Sequence, residues 1–488
     1  MSRPAAIQAP GPSRFPPGER GAAALVLGAA FMLLADTSIV NLAVPSIQRE
    51  LEASVPDVQL MVAGYQVAYA VLLITGGRLG DLWGRRRMFV VGAASFTLAS
   101  LGCGLAQGPG ELIAGRVWQG LSASLLYPQI IATLHIAVAP QRRARAFALL
   151  GAVVSSATIA GPIIAGLLIA ADVAGTGWRP IFLINVPVGI ALVALAPRLV
   201  PENKGLRSRL DYAGTLTVIV LLTALMVPLT VGRDSGWPLW GWVLLLCVPP
   251  LAGLFLWLEA TLEHRGSSPL LRPGLWADPG FRLGLALYLV FFSGVVPFFL
   301  YYSIVLQYGL GYSTLAAAAA MVPYAVGTTI VSLRSAWFVA TFTAPWTILA
   351  GCVVCAVGSV AMLATLGADD SGRHLALVMT PAMFLTGLGL GLVIGPLLNF
   401  VLTGVHADDS GAVAGLLSTA QQIGASVGVA LLGLAFFRGF SGDLLSLGYP
   451  RLQDNLMSAL LVVTAAFVLA SLLVGVIARR SRVARHAG

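Results

Sequence analysis

A chain of 488 residues that is 58% hydrophobic and only 10% charged, with a mean hydropathy of +0.88, lacks the polar surface a soluble globule of that size requires. The formal charge of +9 does not point to nucleic acid, because the basic residues fall in short segments between apolar stretches, where they act as orientation signals. What remains is an all-α polytopic membrane protein.

Residues 1–20 are Pro-rich and polar and read as a disordered tail, followed directly by an apolar stretch too long for a cleavable signal. Stretches long enough to cross a hydrocarbon layer of about 30 Å are expected at 21–44, 58–79, 88–106, 111–137, 146–170, 180–200, 212–231, 239–259, 283–306, 314–333, 345–366, 375–398, 411–436 and 456–478. The basic residues test this count of fourteen. With a cytoplasmic N-terminus, 22 of the 29 fall on the cytoplasmic side, among them Arg78, Arg142, Lys204, Arg265 and Arg334. Six fall outside (Arg49, Arg179, Arg233, Arg373, Arg438 and Arg451), and Arg116 lies within a span. That asymmetry puts both termini in the cytoplasm and requires an even number of spans. Two segments fit less well. "RSAWFVATFTA" is apolar for a loop, and "VHADDSG" is a cytoplasmic loop carrying acid instead of base.

Composition breaks after span 6, at "PENKGLRSRLD", and after span 8, at "LEHRGSSPLLRPGLWADPG". The chain thus divides into a tail (1–20), a six-helix bundle (21–200), a two-helix linker (201–282), a second six-helix bundle (283–478) and a basic cytoplasmic tail (479–488). Duplicated halves of this kind place a binding site at their interface.

The first span carries Asp36 in "FMLLADTSIVNLAVP", although a carboxylate at the centre of a spanning helix costs about 2.5–3.5 kcal/mol on insertion scales. Span 4 carries Arg116, seven residues below the outer surface, or about 10 Å; Asp36 lies nine residues before Pro45, or about 14 Å. At matching depth each is the other's most economical partner, and both should face the bundle interior. One reading is a fixed ion pair that locks span 1 to span 4. The favoured one is a switchable pair, in which Arg116 holds Asp36 ionised and then releases it to take a proton. His135, Asp211, Glu111 and Glu259 sit near span ends and read as interfacial.

Between spans 2 and 3, "GGRLGDLWGRRRMFVVG" packs glycines, Asp81 and three arginines into a short cytoplasmic turn. Three arginines suffice for topology. An acid between glycines goes further and favours a conformational latch, in which Asp81 meets a helix N-terminus or an arginine and Arg85–Arg87 meet acidic loops or head groups. The four cysteines fall inside predicted spans, and the Cys352/Cys355 pair reads as core packing. The aromatic span 9 suggests a site for a flat or lipophilic molecule at Phe298, Phe299, Tyr301, Tyr302 and Tyr308, with plain aromatic packing as the alternative; Tyr65, Gln66 and Tyr69 on span 2 are oriented toward a central cavity.

The Asp81 stretch resembles the G-x-L-a-D-x-x-G-R-[RK] signature of the major facilitator superfamily. "LIAGRVWQGLSASLLYP" is similar to that family's span-4 pattern, with Ser122 in place of a usual glycine. "GAVVSSATIAGPIIAGLL" is similar to its span-5 antiporter pattern through Gly151, Gly161, Pro162 and Gly166, with Ala165 in place of one glycine. "LADTSIVNLAVPSIQ", "GWRPIFLINVPVG", "GAVAGLLSTAQQIGASVGVALLG" and Tyr65 resemble the fourteen-span drug:proton antiporter branch, although Leu60 stands where a tryptophan is common. The resemblance implies a major-facilitator-type fold with fourteen transmembrane helices (6 + 2 + 6), rocking between inward- and outward-facing states. It implies Asp36 as the proton-coupling acid with Arg116 its partner, a cytoplasmic latch of Gly77, Asp81, Gly84, Arg85 and Arg86, and a bend in span 5 at Gly161–Pro162. "SLRSAWFVATFTAPW" in the second half has lost the acid and most of the basic residues that a duplicated latch would carry.

The expected function is proton-coupled export of hydrophobic or amphipathic small molecules, such as antibiotics or toxic metabolites, from a monomer in the bacterial cytoplasmic membrane. The expected partners are the substrate, protons and lipids, with no nucleic acid; no cofactor or metal is expected beyond the proton as coupling ion. Alternatives are a proton-linked uptake carrier, disfavoured by the span-5 pattern, and a non-transporting sensor, which has no need of Asp36. A membrane-embedded enzyme would need a nucleophile–base pair or metal cluster at one depth, and the spans hold neither an HxxxH nor paired carboxylates. No Walker loop is present for ATP-driven export.

Overall fold

Proline, glycine and capping side chains decide where each apolar stretch becomes helical. The computed structural model describes residues 15–172, 175–202, 211–232, 236–264, 269–272, 274–368, 374–403, 405, 409–436 and 449–486. Fourteen helices among them are long and apolar enough to cross a membrane. They are α1 Pro17–Leu51, α2 Val55–Trp83, α3 Arg85–Gly104, α4 Pro109–Ala137, α5 Pro140–Ala171, α6 Pro180–Leu199, α7 Tyr212–Val231, α8 Leu239–His264, α9 Pro279–Ile304, α10 Val322–Phe342, α11 Ala344–Ala368, α12 Thr380–Thr403, α13 Ser410–Phe436 and α14 Tyr449–His486. No strand occurs among the described residues.

Proline opens the first turn of α1, α4, α5 and α9, where its missing N–H costs no helical bond. Helix α2 starts on a capping box: the Ser54 hydroxyl accepts the Asp57 N–H at 3.3 Å, and the Asp57 carboxylate accepts the Ser54 N–H at 2.9 Å. These hydrogen bonds from the Ser54 hydroxyl and backbone hold the exposed Asp57 carboxyl below its ordinary range.

Several boundaries differ from the sequence expectation. Helix α1 runs on past Pro45 to Leu51, so it projects beyond the expected surface. Helix α2 continues through Asp81 to Trp83, and Gly84 alone joins it to α3, so the expected turn is almost wholly helical. The tenth span lies at Val322–Phe342, not at 314–333. The alanine run 314–320 forms a separate short helix, and apolar "RSAWFVATF" extends the spanning helix up to Thr343. The backbone of α14 stays helical to His486, through most of the expected basic tail. Of the basic residues used to count spans, Arg3, Arg14, Lys204, Arg207, Arg209, Arg233, Arg265, Arg373 and Arg438 lie outside the described residues, as does residues 1–14 of the expected N-terminal tail.

The duplication that composition only suggested is visible in helix pairing. Helix α2 packs on α4, α3 on α4 and α6, and α1 on α5; shifted by eight positions, α10 packs on α12, α11 on α12 and α14, and α9 on α13. The halves meet reciprocally, α2 against α13 and α5 against α10. The inserted pair α7–α8 packs on itself, and α7 leans on α2 and α13. On α8, Leu246 and Trp257 are exposed, as suits a lipid-facing helix.

Small residues let these helices approach where hydrocarbon offers no hydrophobic drive. A methyl on Gly77 would strike the Gly411 carbonyl, one on Gly415 would lie 2.9 Å from the Ile74 Cα, and one on Gly395 would lie 2.9 Å from the Phe147 carbonyl oxygen. All these contacts join the two halves at the arginine-rich end of the bundle. The apolar cluster at the opposite end, around Ile47, Met61, Leu112, Trp178 and Phe182, is built by the first half alone.

Candidate functional site

Two charged residues from α1 and α4 meet inside the first bundle. Arg116 Nη1 lies 2.7 Å from Asp36 Oδ2, with Asp36 1% and Arg116 2% exposed. Next to the pair, α5 comes close to α1: a methyl on Gly161 would lie 2.9 Å from the Ala35 carbonyl oxygen. The two charges lie level, in direct contact, although α1 continues past Pro45 to Leu51.

Neutral polar groups complete the coordination. Asn185 Nδ2 donates to Asp36 Oδ1 at 2.7 Å, and Gln119 Nε2 donates to the same oxygen at 3.3 Å. Gln119 Oε1 accepts from Arg116 Nη1 at 2.7 Å, and Ser100 Oγ accepts from Gln119 at 2.8 Å. The buried carboxylate thus receives three donors, from Arg116, Asn185 and Gln119. The guanidinium also touches an aromatic ring. Its Cζ sits 4.1 Å from the Tyr65 ring centroid, a cation–π contact, and its buried Nε has no acceptor among the described residues.

Tyr65 begins an aromatic series toward the second half. It stacks on Tyr69 with centroids 6.0 Å apart, Tyr69 meets Tyr127 edge-on at 6.2 Å, and Tyr127 belongs to one buried cluster with Tyr288 of α9. Gln66, the third span-2 candidate, is exposed. Phe298 and Tyr301 do not join this group. Phe298 stacks on Tyr302 at 5.6 Å and lines a small cavity inside the second bundle with Tyr324 and Phe467. The fully buried Tyr301 donates its hydroxyl to the Val429 carbonyl at 2.8 Å and packs on Phe436.

The residues expected to form a latch divide between two jobs. Asp81 accepts the N–H groups of Gly411 at 3.1 Å and Ala412 at 2.9 Å, capping the N-terminus of α13 from the other half. Arg85 Nη2 holds the same carboxylate at 2.6 Å. Gly77 allows the close approach to Gly411, and Gly84, at φ 100°, makes the sharp joint to α3. Arg86 instead ties α3 to the end of α6 within its own half, through Glu202 at 3.1 Å and the Pro197 carbonyl at 3.0 Å.

Of the span-5 pattern, Gly151 lies at the meeting of the halves, where an added methyl would lie 3.2 Å from Ser332 Oγ. Pro162 lies within α5 and removes one helical hydrogen bond, and Gly166 is half-buried on the same helix. Cys352 and Cys355 are free and fully buried in α11. Sequence reasoning missed Gln119, Ser100 and Asn185. The available signal was an amide one turn beyond Arg116 and another amid the apolar "FLINVPVG".

Comparison with known proteins places this geometry in context. Residues 26–429 match the family model described as Major Facilitator Superfamily. The chain is 39% identical over 425 residues to a probable actinorhodin transporter of Streptomyces coelicolor, covering 86% of this chain and 73% of that one. It is 34% identical over 429 residues to the cephamycin export protein CmcT of Amycolatopsis lactamdurans, covering 86% of each. The fold is similar to the crystal structure of the human organic anion transporter MFSD10 (TETRAN), with a TM-score of 0.66 at 15% identity, over 94% of this chain and 100% of that one.

Proposed function

This chain belongs to the Major Facilitator Superfamily, and from that premise we propose that it exports antibiotic-like hydrophobic or amphipathic molecules from a bacterial cell in exchange for protons. It is a multi-pass membrane transporter, and its relatives are antibiotic and multidrug exporters. The observation that carries proton coupling is the buried Asp36–Arg116 pair, in which the guanidinium also touches Gln119 Oε1 and the Tyr65 ring. When a proton reaches Asp36, the charge of Arg116 loses its counterion. Gln119 Oε1 and the Tyr65 ring, already in contact with the guanidinium, then keep it off hydrocarbon. The Tyr65–Tyr69–Tyr127 series carries that shift toward the interface of the halves, where the substrate is expected to sit.

The charge asymmetry supports cytoplasmic termini, which makes the joined, arginine-rich end the cytoplasmic gate. Asp81 capping α13 then holds the carrier closed to the cytoplasm, and inward opening requires that cap to break. Alternating access follows from making and breaking this contact as Asp36 gains and loses its proton.

The test uses an efflux-deficient bacterium expressing the chain. Wild-type protein should lower accumulation of an exported compound and raise resistance to it, and a proton uncoupler should abolish both effects. Asp36→Asn should reach the membrane in normal amount and show neither. Uncoupler-sensitive efflux that survives in Asp36→Asn would overturn the coupling role.

A further inference from the structure

The inserted helices bring two acids together where the mechanism above has no use for them. Asp211 caps α7, its Oδ1 accepting the Gly214 N–H at 2.8 Å. Glu259, near the end of α8, is 2% exposed, and its Oε2 accepts the Leu271 N–H at 2.8 Å. The other oxygen of each carboxyl, Asp211 Oδ2 and Glu259 Oε1, is buried with no hydrogen-bond donor among the described residues. Both press on the same point, since a methyl on Gly214 would strike the two of them, and the two carboxyls stand within hydrogen-bonding reach of each other. Two acceptors facing each other in a buried site call for a hydrogen between them.

Among the described residues, no arginine, lysine or histidine is paired with either carboxyl. The strap 269–272 carries Arg272, held by Asp409 ahead of α13 at 3.2 Å; α2 carries Arg78 and the Asp81–Arg85 pair; α8 ends in Glu263 and His264. Among the described residues, Asp211 is the charged group that acts directly on Glu259. The strap itself rests on the gate. Leu270 and Leu271 are buried in one cluster with Val71 and Ile74 of α2 and Ala412 of α13, next to the Ala412 N–H that Asp81 accepts.

We propose that Asp211 and Glu259 bind one proton between Oδ2 and Oε1, a second protonation site apart from Asp36, and that this proton fastens the 269–272 strap over the gate. With the proton bound, the pair carries a single negative charge. Its release to water on the arginine-rich side leaves two carboxylates in contact, whose repulsion drives Glu259 from Asp211 and loosens its grip on the Leu271 N–H. The strap then ceases to brace α2 against α13, so the gate opens more readily as that side turns alkaline.

The experiment takes full-length protein in lipid nanodiscs through about pH 5 to about pH 10. Infrared difference spectra of the wild type should show a protonated-carboxyl carbonyl band that disappears on the alkaline side. The band should persist in Asp36→Asn and be missing from Glu259→Gln and Asp211→Asn. Amide hydrogen exchange at Leu270 and Leu271, taken as the ratio of wild type to Glu259→Gln at each pH, should rise at least about tenfold as the band is lost. Should Glu259→Gln fail to fold, Asp211→Asn provides the same reference, because its Oδ1 still caps α7. A band retained in both variants overturns the shared proton, and a flat exchange ratio overturns the fastening of the strap. Neither readout depends on transport, so failure of the Asp36 coupling role would show separately, in the efflux assay.

Discussion

Asn185 and Gln119 do for Asp36 what water does for an exposed carboxylate. A hydrogen bond to a charged group contributes about 1.5–3 kcal/mol, so Asn185→Leu should slow uncoupler-sensitive efflux roughly tenfold or more at a fixed proton gradient. Rates within twofold of wild type would show that the amide is packing alone. The ion pair predicts a second asymmetry. Arg116→Leu leaves a buried acid without its partner and should cost about 3–5 kcal/mol, seen as lower thermal stability in detergent. The Asp36→Leu/Arg116→Leu double variant should recover most of that stability while remaining inactive. Asp36 and Arg116 were legible because a formal charge amid apolar residues has few explanations. Asn185, Gln119 and Ser100 were not, because uncharged polar residues also serve ordinary helix packing in membranes. Only three-dimensional convergence separates the two uses.

Matching hairpins in the two halves turn on residues of different fitness. Gly84 joins α2 to α3 at φ 100°, and Thr343 joins α10 to α11 at φ 70°, ψ 159°, a region that glycine alone occupies comfortably. The strain there is of order 1–3 kcal/mol, and glycine's greater unfolded-state freedom returns about 0.5–1 kcal/mol. Thr343→Gly should therefore raise stability by about 1 kcal/mol, measured as a higher melting temperature. The second-half hairpin thus survives as geometry after losing the latch chemistry that its sequence lacks. The same hairpins show why helix ends were hard to read. Asp81 resembled a turn residue because it is charged, yet it is helical and buried, its charge met by Arg85 and by the end of α13. Likewise "RSAWFVATF" reads as a doubtful loop only when its arginine is weighed above its apolar neighbours. At the gate itself, Gly77→Leu should force α2 from α13, because even a methyl there meets the Gly411 carbonyl. Spin labels placed on α2 and α13 at the arginine-rich end should move apart, and unchanged distances would remove Gly77 from the gate.

At the scale of the whole molecule, the six-plus-two-plus-six plan was legible because length and hydropathy fix spanning helices almost regardless of side-chain detail. The reciprocal packing of α2 on α13 and α5 on α10 was not, since it depends on small residues scattered one by one along each helix. The proposed coupling sets what the carrier can achieve, because it passes through a single buried Asp36–Arg116 pair in the first half. An elementary charge moving down 100 mV releases about 2.3 kcal/mol. Against about 1.4 kcal/mol per tenfold concentration ratio, a single proton can hold a neutral substrate at roughly fifty-fold across the membrane, without a pH difference. Proteoliposomes given a potassium-diffusion potential of about 100 mV and equal pH on both sides should approach that ceiling and not pass it. Doubling the potential should square the limiting ratio. A ratio well above fifty-fold would mean that a second proton crosses with each substrate.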